Sequence, residues 1–322
     1  MTNRYYHSQM QGTSQLMARI VFMGTPDFAL PSLTALLDSH AVVAVVTQPD
    51  RPSGRHRRLR PSPVKRAALE ASIPLLQPER IRSDESISAL RAMRADLFVV
   101  VAFGQILPQV LLDLPRIASI NVHASLLPRW RGAAPIQAAI RAGDQETGVT
   151  LMVMDAGLDT GPVIERRSAP ISTDETGQSL HDKLAGLGAE LLVQALPDFL
   201  EGTISPRPQD DACATYAPAI KKEEGRLDWS RAAAELERTI RAFRPWPGSF
   251  TTWNGAPLKI HAGYEDAGQA SPGVVFNHEK GIAIGTGAGL FFPTEVQLAG
   301  KKRLSIEDFV NGHGDFLGAV LE

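Results

Sequence analysis

Two short runs hold the residues best suited to chemistry. Asn121 and His123 stand two residues apart in Ile120-Asn121-Val122-His123-Ala124-Ser125-Leu126-Leu127-Pro128. Asp159 stands in Met154-Asp155-Ala156-Gly157-Leu158-Asp159-Thr160-Gly161-Pro162, between glycines that allow a tight turn. In an extended segment, residues i and i+2 point to the same side, so the amide and the imidazole can face one reacting group. An asparagine amide donates to a developing oxyanion, and a protonated histidine does the same. An aspartate takes a proton, directly or through water, and returns it to a leaving group. This set suits acyl transfer between two nitrogens without a covalent enzyme intermediate. A lone histidine at a strand end is more often structural, so the pair gains its weight from the longer run around it.

Other chemistries fit less well. The single cysteine, Cys213, lies in a connecting segment, and Ser125 has no sequence-evident base, so no nucleophile stands out. The eight histidines show no paired ligand spacing, and no metal is expected. The first turn reads Gly24-Thr25-Pro26-Asp27-Phe28-Ala29, with Gly, Pro and Ala where a dinucleotide fingerprint needs three glycines. A nicotinamide oxidoreductase is therefore disfavoured, and no P-loop is present.

The elements that must position these residues follow from the apolar pattern. Short apolar runs at 19–23, 41–47, 74–76, 96–102, 117–121 and 148–154 read as strands, several of them buried on both faces. Helical patterns lie between them at about 28–38, 64–72, 83–93, 108–113 and 133–142, and a longer one follows at 176–200. Such alternation predicts an open parallel sheet flanked by helices. Ligands bind at the carboxyl ends of such strands, where Asn121 and His123 are placed, and Asp159 is expected to close another strand. Residues 202–222, interrupted by Gly202, Pro206, Pro208 and Pro218, read as a connection. A helix at 230–243 and short strands at 250–253, 257–263, 273–276, 281–285 and 289–297 predict a small β-barrel. The expected division is 18–203, a linker at 204–221, and 222–322.

Composition sets the outer bounds. The chain has 322 residues, 33 Lys+Arg against 35 Asp+Glu, 43 % apolar and 21 % charged residues. These values exclude a largely disordered chain, a collagen and a highly basic nucleic-acid coat. The longest apolar stretches, Ala41–Val46 and Leu97–Phe103, fall far short of the roughly 20 residues that cross a bilayer. Residues 1–17 are polar, lack a signal-peptide core, and are expected to be a disordered extension. A cytoplasmic monomer is expected.

Longer matches identify a family. Asn121 to Pro135, NVHASLLPRWRGAAP, resembles the signature of formyltransferases that use 10-formyltetrahydrofolate, and MDAGLDTG at 154–161 resembles their second active-site segment. From Arg19 to about residue 322 the chain is similar to the methionyl-tRNA formyltransferase family. Further matching pieces are MGTPDFA at 23–29, TQPDRPSGR at 47–55, PSPVK at 61–65, VVVAFGQILP at 99–108, DWS at 228–230 and RAFRPWPG at 241–248. The resemblance implies a Rossmann-like α/β domain followed by a small OB-like β-barrel. It implies formyl transfer from 10-formyltetrahydrofolate to the α-amino group of initiator methionyl-tRNA, by attack of the neutral amine through a tetrahedral intermediate. Asn121, His123 and Asp159 match the family's catalytic trio. Ser125, Leu126, Leu127 and Pro128 match its folate-contacting segment, and Phe103, Gly104, Gln105, Ile106 and Leu107 are expected to line the pterin pocket.

Residues 51–66 carry seven Lys/Arg and no Asp or Glu, and their prolines and glycine argue against a regular element there. A solvated basic loop is the plain reading. Its place after the second strand, together with the resemblance, makes Arg51, Arg55, Arg57, Arg58 and Lys65 candidate tRNA contacts, with Arg55 at a functionally important arginine of the family's loop. The sequence departs from the family's common Gly-Lys-Lys-type run by carrying His56-Arg57-Arg58. From 222 to 322 there are eleven Lys/Arg against thirteen Asp/Glu, so that part has no basic excess. The nearest rival is a related formyltransferase acting on a nucleotide-sugar or ribonucleotide amine, which should lack the basic loop. A non-catalytic RNA-binding protein is opposed by the intact trio, and a hydrolase of the same folate would turn over without an amine.

Overall fold

The computed structural model describes residues 17–53 and 58–322, so the expectation for the N-terminal extension falls, except for Met17, outside the described residues. The first body runs β1 (Arg19–Gly24), α1 (Leu30–Ser39), β2 (Ala41–Val46), β3 (Arg51–Ser53), β4 (Arg58–Arg60), α2 (Pro63–Glu70), β5 (Leu75–Leu76), α3 (Asp84–Ala92), β6 (Leu97–Val101), α4 (Gln109–Leu112) and β7 (Ala118–His123). It continues through β8 (Arg131–Gly132), α5 (Pro135–Ala142), β9 (Glu146–Val153), β10 (Val163–Pro170) and α6 (Gly177–Leu200). Seven strands form one sheet in the order β10-β9-β7-β6-β1-β2-β5.

Strands β5, β2, β1, β6 and β7 are parallel, which makes this body Rossmann-like. The parallel sheet is mixed at one edge: β9 runs antiparallel to β7, and β10 antiparallel to β9. His123, the last residue of β7, pairs with Thr150, so the chain enters β9 beyond the end of β7 and makes no crossover. Strand β10 had no counterpart in the apolar pattern, because VIERRSAP sits at the sheet edge with exposed polar positions.

Both faces of the sheet are buried, as the continuous apolar strands require. Ile20, Phe22, Val99, Ile120 and Val122 pack with α1 and α6, and Val21, Met23, Phe98 and Val100 pack with α3 and α4. Helix α6 opens with a capping box between Thr176 and Ser179 and lays Leu180, Leu184, Leu191 and Leu192 on the first face. A Cβ on Gly188 would lie 2.8 Å from Val122 Cγ1, so glycine there lets α6 approach the back of β7, behind the site residues.

The described parts of 51–66 hold regular elements that its prolines argued against. β3 and β4 form an antiparallel ribbon with Arg51 opposite Arg60. A two-stranded ribbon has free edges, where proline's missing N–H costs no ladder bond. The stretch at 202–222 is likewise no bare connection, because β11 (Tyr216–Ala217) pairs with β8.

The second body follows: α7 (Ala233–Ala242), β12 (Ser249–Trp253), β13 (Ala256–Asp266), β14 (Val275–His278), β15 (Gly281–Gly285), β16 (Leu290–Leu298), β17 (Leu304–Ser305) and α8 (Ile306–Gly312). Its antiparallel strands take the order β12-β13-β16-β15-β14, with β17 on β16. Register shifts in β13 between Ile260 and Gly263 bend the sheet around a core of Trp229, Trp253, Leu258, Phe291 and Phe309. The short α8 escaped the sequence pattern. Helix α7 joins the bodies: Leu236 and Ile240 enter the second core, while Ala242 and the next residue, Phe243, enter the first.

Candidate active site

Strand β7 builds the centre. Ile120 and Val122 face α6, so Asn121 and His123 share the opposite face. The loop after β9 folds onto that same face, led by Met154, which packs among the residues of α3 and α4. Asp159 therefore does not close a strand, as the sequence suggested; it lies in the middle of the 154–162 connection. Because β9 runs antiparallel, its last residues lie beside Ser119 and Ile120, and the loop turns back along β7 to reach His123.

That loop is compressed. The Asp155 carboxylate accepts from Gly157 N at 3.0 Å and from Thr160 Oγ1 at 2.7 Å. A Cβ on Gly157 would fall 1.9 Å from Thr160 Oγ1, and one on Gly161 1.9 Å from the Val153 carbonyl. Asp159 has φ of +55°, a left-handed conformation that favours glycine and is uncommon for other residues. Its Oδ2 accepts from Gly132 N at 2.8 Å and lies 3.7 Å from His123 Nδ1.

The His123 ring is oriented by its neighbours. Its Nε2 lies 2.9 Å from the Trp130 carbonyl oxygen, which only accepts, so Nε2 carries a hydrogen. Nδ1 is left facing a carboxylate. His123 is 6 % exposed and Asn121 is half-buried. Among the described residues the Asn121 amide has no protein hydrogen-bond partner. The arrangement presents one uncommitted amide donor beside an imidazole–carboxylate pair.

The segment 124–134 is held in shape by its own side chains. Ser125 Oγ donates to the Arg129 carbonyl at 2.6 Å, and Thr150 Oγ1 joins the Ser125 carbonyl to Leu127 N. Asp144 receives both Arg129 Nε and Nη2 and the Trp130 indole N–H. Ser125 and Leu127 are thus buried in building the loop, while Leu126 and Pro128 are half-buried. In the neighbouring segment Phe103 and Leu107 are buried, Gly104 is exposed and Ile106 is 88 % exposed. The Gln105 amide is occupied, accepting from Ile81 N and donating to the Pro78 carbonyl. Trp130 also lines a cavity of about 440 Å³ between α5, β11 and α7.

Arg55 and Arg57 lie outside the described residues, and Arg58 is described only as a backbone position in β4. Arg51 is exposed. Lys65 Nζ is bonded to Asp50 Oδ2 at 2.7 Å, and Gln77 Nε2 reaches Asp50 Oδ1 at 2.9 Å. Asp50 lies one residue outside the basic run, so the run alone does not show the partner of Lys65. The sequence also left Arg131 and Gln209 unnoticed, although both are bonded around Asp159.

Comparisons with known proteins show the family. A profile of the formyl transferase family matches residues 18–196, and a profile of the formyl transferase C-terminal domain matches residues 219–314. A methionyl-tRNA formyltransferase of Stutzerimonas stutzeri is 54 % identical over 91 % of this chain and 94 % of its own length. One from Pseudomonas fluorescens is 51 % identical, covering 94 % of this chain and 96 % of its own. Among solved structures, an N-formyltransferase from Helicobacter canadensis, in complex with folinic acid and dTDP-3-aminofucose, superposes with a TM-score of 0.63 at 20 % identity, covering 86 % of this chain and 99 % of that one. HypX from Aquifex aeolicus, in complex with tetrahydrofolic acid, gives 0.60 at 19 % identity over 94 % of this chain, which spans 48 % of that longer protein. At these identities the two structures share the fold.

Proposed function

The chain belongs to the formyl transferase family, and from that membership we propose that it transfers the formyl group of 10-formyltetrahydrofolate to the α-amino group of methionine esterified to initiator tRNA. The observation that carries the assignment to residues is the grouping of an uncommitted Asn121 amide with a His123–Asp159 pair at 3.7 Å. An α-amino group titrates near 8 and an ester neighbour lowers that, so neutral amine is present at pH 7. The amine nitrogen bonds to the formyl carbon, and the formyl oxygen takes up negative charge. Asn121 donates to that oxygen, and His123, when protonated, offers Nδ1–H to the developing charge while its Nε2–H is held by the Trp130 carbonyl. Asp159 accepts the proton that the amine loses, through a water, and returns it to N10 as the bond from N10 to the formyl carbon breaks. The protein forms no covalent bond in these steps.

The exposed end of the 103–107 segment, with Ile106 outermost, supports its reading as a wall for the folate ring. Gln105 ties that wall to Ile81 and Pro78, and Ser125 and Leu127 hold the 124–134 loop, whose residues 125–128 are read as a further folate contact. The β3–β4 ribbon, with Arg51, Arg55, Arg57 and Arg58, is read as the contact to tRNA phosphates, with Lys65 anchoring its base. A cytoplasmic monomer fits a substrate made in the cytoplasm, and sedimentation equilibrium checks the monomer.

The test is formyl transfer from 10-formyltetrahydrofolate to initiator methionyl-tRNA, run beside elongator methionyl-tRNA and a no-acceptor control. Transfer to the initiator alone is expected. Formate release without acceptor, or no turnover at all, overturns the assignment.

A further inference from the structure

The segment from Arg207 to Ala217 is bonded to both loops of the site. At one end Arg207 and Val163 exchange two backbone hydrogen bonds of 2.8 Å. At the other, Trp130 N donates to Thr215 Oγ1 at 2.9 Å, Arg131 N to the Thr215 carbonyl at 2.8 Å, and Ala134 N to the Ala217 carbonyl at 3.2 Å. Between these ends stands Gln209. Its Nε2 donates to the Asp159 carbonyl at 2.8 Å and to the Gly161 carbonyl at 2.7 Å. Its Oε1 accepts from Arg131 Nε at 3.1 Å and from Nη2 at 2.8 Å.

The orientation of this amide is set by its partners. A guanidinium only donates and a carbonyl only accepts, so Oε1 must face Arg131 and Nε2 must face the loop. Both amide hydrogens and both Oε1 lone pairs are then used. Arg131 is 2 % exposed and its Nη2 also bonds Asp211 Oδ1 at 2.7 Å. The next residue, Gly132, holds the Asp159 carboxylate by its N–H. Asp159 is therefore gripped at its side chain by Gly132 and at its backbone by Gln209, and the two grips are joined through Arg131. A residue at φ +55° needs such support, because the backbone alone disfavours that conformation.

We propose that Gln209, oriented by Arg131, is a positioning residue that keeps the Asp159 loop in register with His123 during formyl transfer. The proposal rests on the functional reading above. It makes the stretch between the two bodies a working part of the site, since two carbonyls flanking Thr160 are held by a residue some 50 positions away in the chain.

The experiment compares full-length Gln209→Glu and Gln209→Ala with the unaltered protein, using initiator methionyl-tRNA and 10-formyltetrahydrofolate. Glutamate keeps the size of the side chain and its contact to Arg131, but turns an acceptor toward the two carbonyls. A space-filling role tolerates it; positioning does not. The expected result is a fall in kcat of about ten- to a hundredfold for both variants, glutamate no better than alanine, with KM for either substrate moving less than about threefold. Unchanged kcat in Gln209→Glu, or a rise in KM at constant kcat, overturns the proposal. Should Gln209→Ala fail to fold, Gln209→Glu carries the test. Hydrogen exchange over residues 155–162, measured without substrates, separates this idea from the functional reading. Faster exchange in the variants supports the grip whatever the unaltered protein catalyses, and unchanged exchange refutes it.

Discussion

The two loops around Asp159 and the β3–β4 ribbon are both rich in polar residues, yet they are held in opposite ways. Around Asp159 the polar groups turn inward: Arg131 is 2 % exposed, and Gln209 makes four hydrogen bonds. The ribbon is anchored at its base, by Thr47 Oγ1 on Ser62 Oγ at 3.0 Å and by Lys65 and Gln77 on Asp50, while Arg51 and Arg60 are exposed. The contrast fits the two tasks proposed above. A reacting carbon must be met within a fraction of an ångström, and a misplacement of about 1 Å costs on the order of a hundredfold in rate. Phosphate contacts are long-ranged and set mainly by charge, so the groups that make them need little fixing.

Removing the uncommitted donor breaks the comparison at its rigid end. Asn121→Ala is expected to lower kcat by about 100–1000-fold, the usual cost of one oxyanion donor. The melting temperature should hardly move, because the amide satisfies no protein group among the described residues. Steady-state kinetics beside a thermal melt checks both halves, and near-normal turnover would remove Asn121 from the chemistry. Gly161→Ala attacks the same loop through packing. Its Cβ would stand 1.9 Å from the Val153 carbonyl, so the backbone must give way, at about 1–3 kcal/mol of stability for such overcrowding. Here kcat and the melting temperature should fall together.

The same contrast explains how much the sequence disclosed. The Asn121–His123 spacing was legible because a strand has a period of two, and the parallel core was legible because strands buried on both faces are apolar throughout. The position of Asp159 was not. Its motif stood out, but a strand entering antiparallel after α5 leaves no local mark, and the loop's return to His123 is a tertiary event. Gln209 was hidden for a similar reason. It lies among prolines, and Arg131, the residue that orients it, is 78 positions away. Strand β10 was lost to its exposed polar face, and β3 and β4 to Pro52 within the one and Pro61 directly after the other.

At the loosely held end the expected effects are smaller. Arg51→Ala combined with Arg55→Ala should raise KM for tRNA several-fold and leave kcat at saturation nearly intact. The dependence of log affinity on log salt should flatten by about one for each phosphate that is no longer neutralised. Titrating tRNA binding from low to moderate salt reads both. A fall in kcat instead would place these arginines in the positioned part of the molecule.

The smallest effect is expected at the ribbon's base. Hydrogen bonds from the Lys65 ammonium, then from the Gln77 amide, hold the Asp50 carboxyl below its ordinary value of 3.8, against a small opposing effect of burial. A carboxyl lowered in the folded state adds stability above its unfolded value, and that stability is lost as the pH falls through the folded value. Asp50→Asn should therefore cost at most about 1 kcal/mol at neutral pH, as partly exposed ion pairs do, and nothing once the pH lies well below 3.8. Melting curves at several pH values follow the convergence. The informative reading is tRNA affinity at pH 7. The substitution removes one negative charge beside the basic run and frees Lys65, so charge alone predicts tighter binding. If Asp50 matters by fixing where the ribbon leaves the body, KM for tRNA rises in spite of the added positive charge. A tighter complex would mean that the ribbon works by charge with no demand on its footing. A weaker one would mean that even the loosely tied end of this molecule has a geometry to keep.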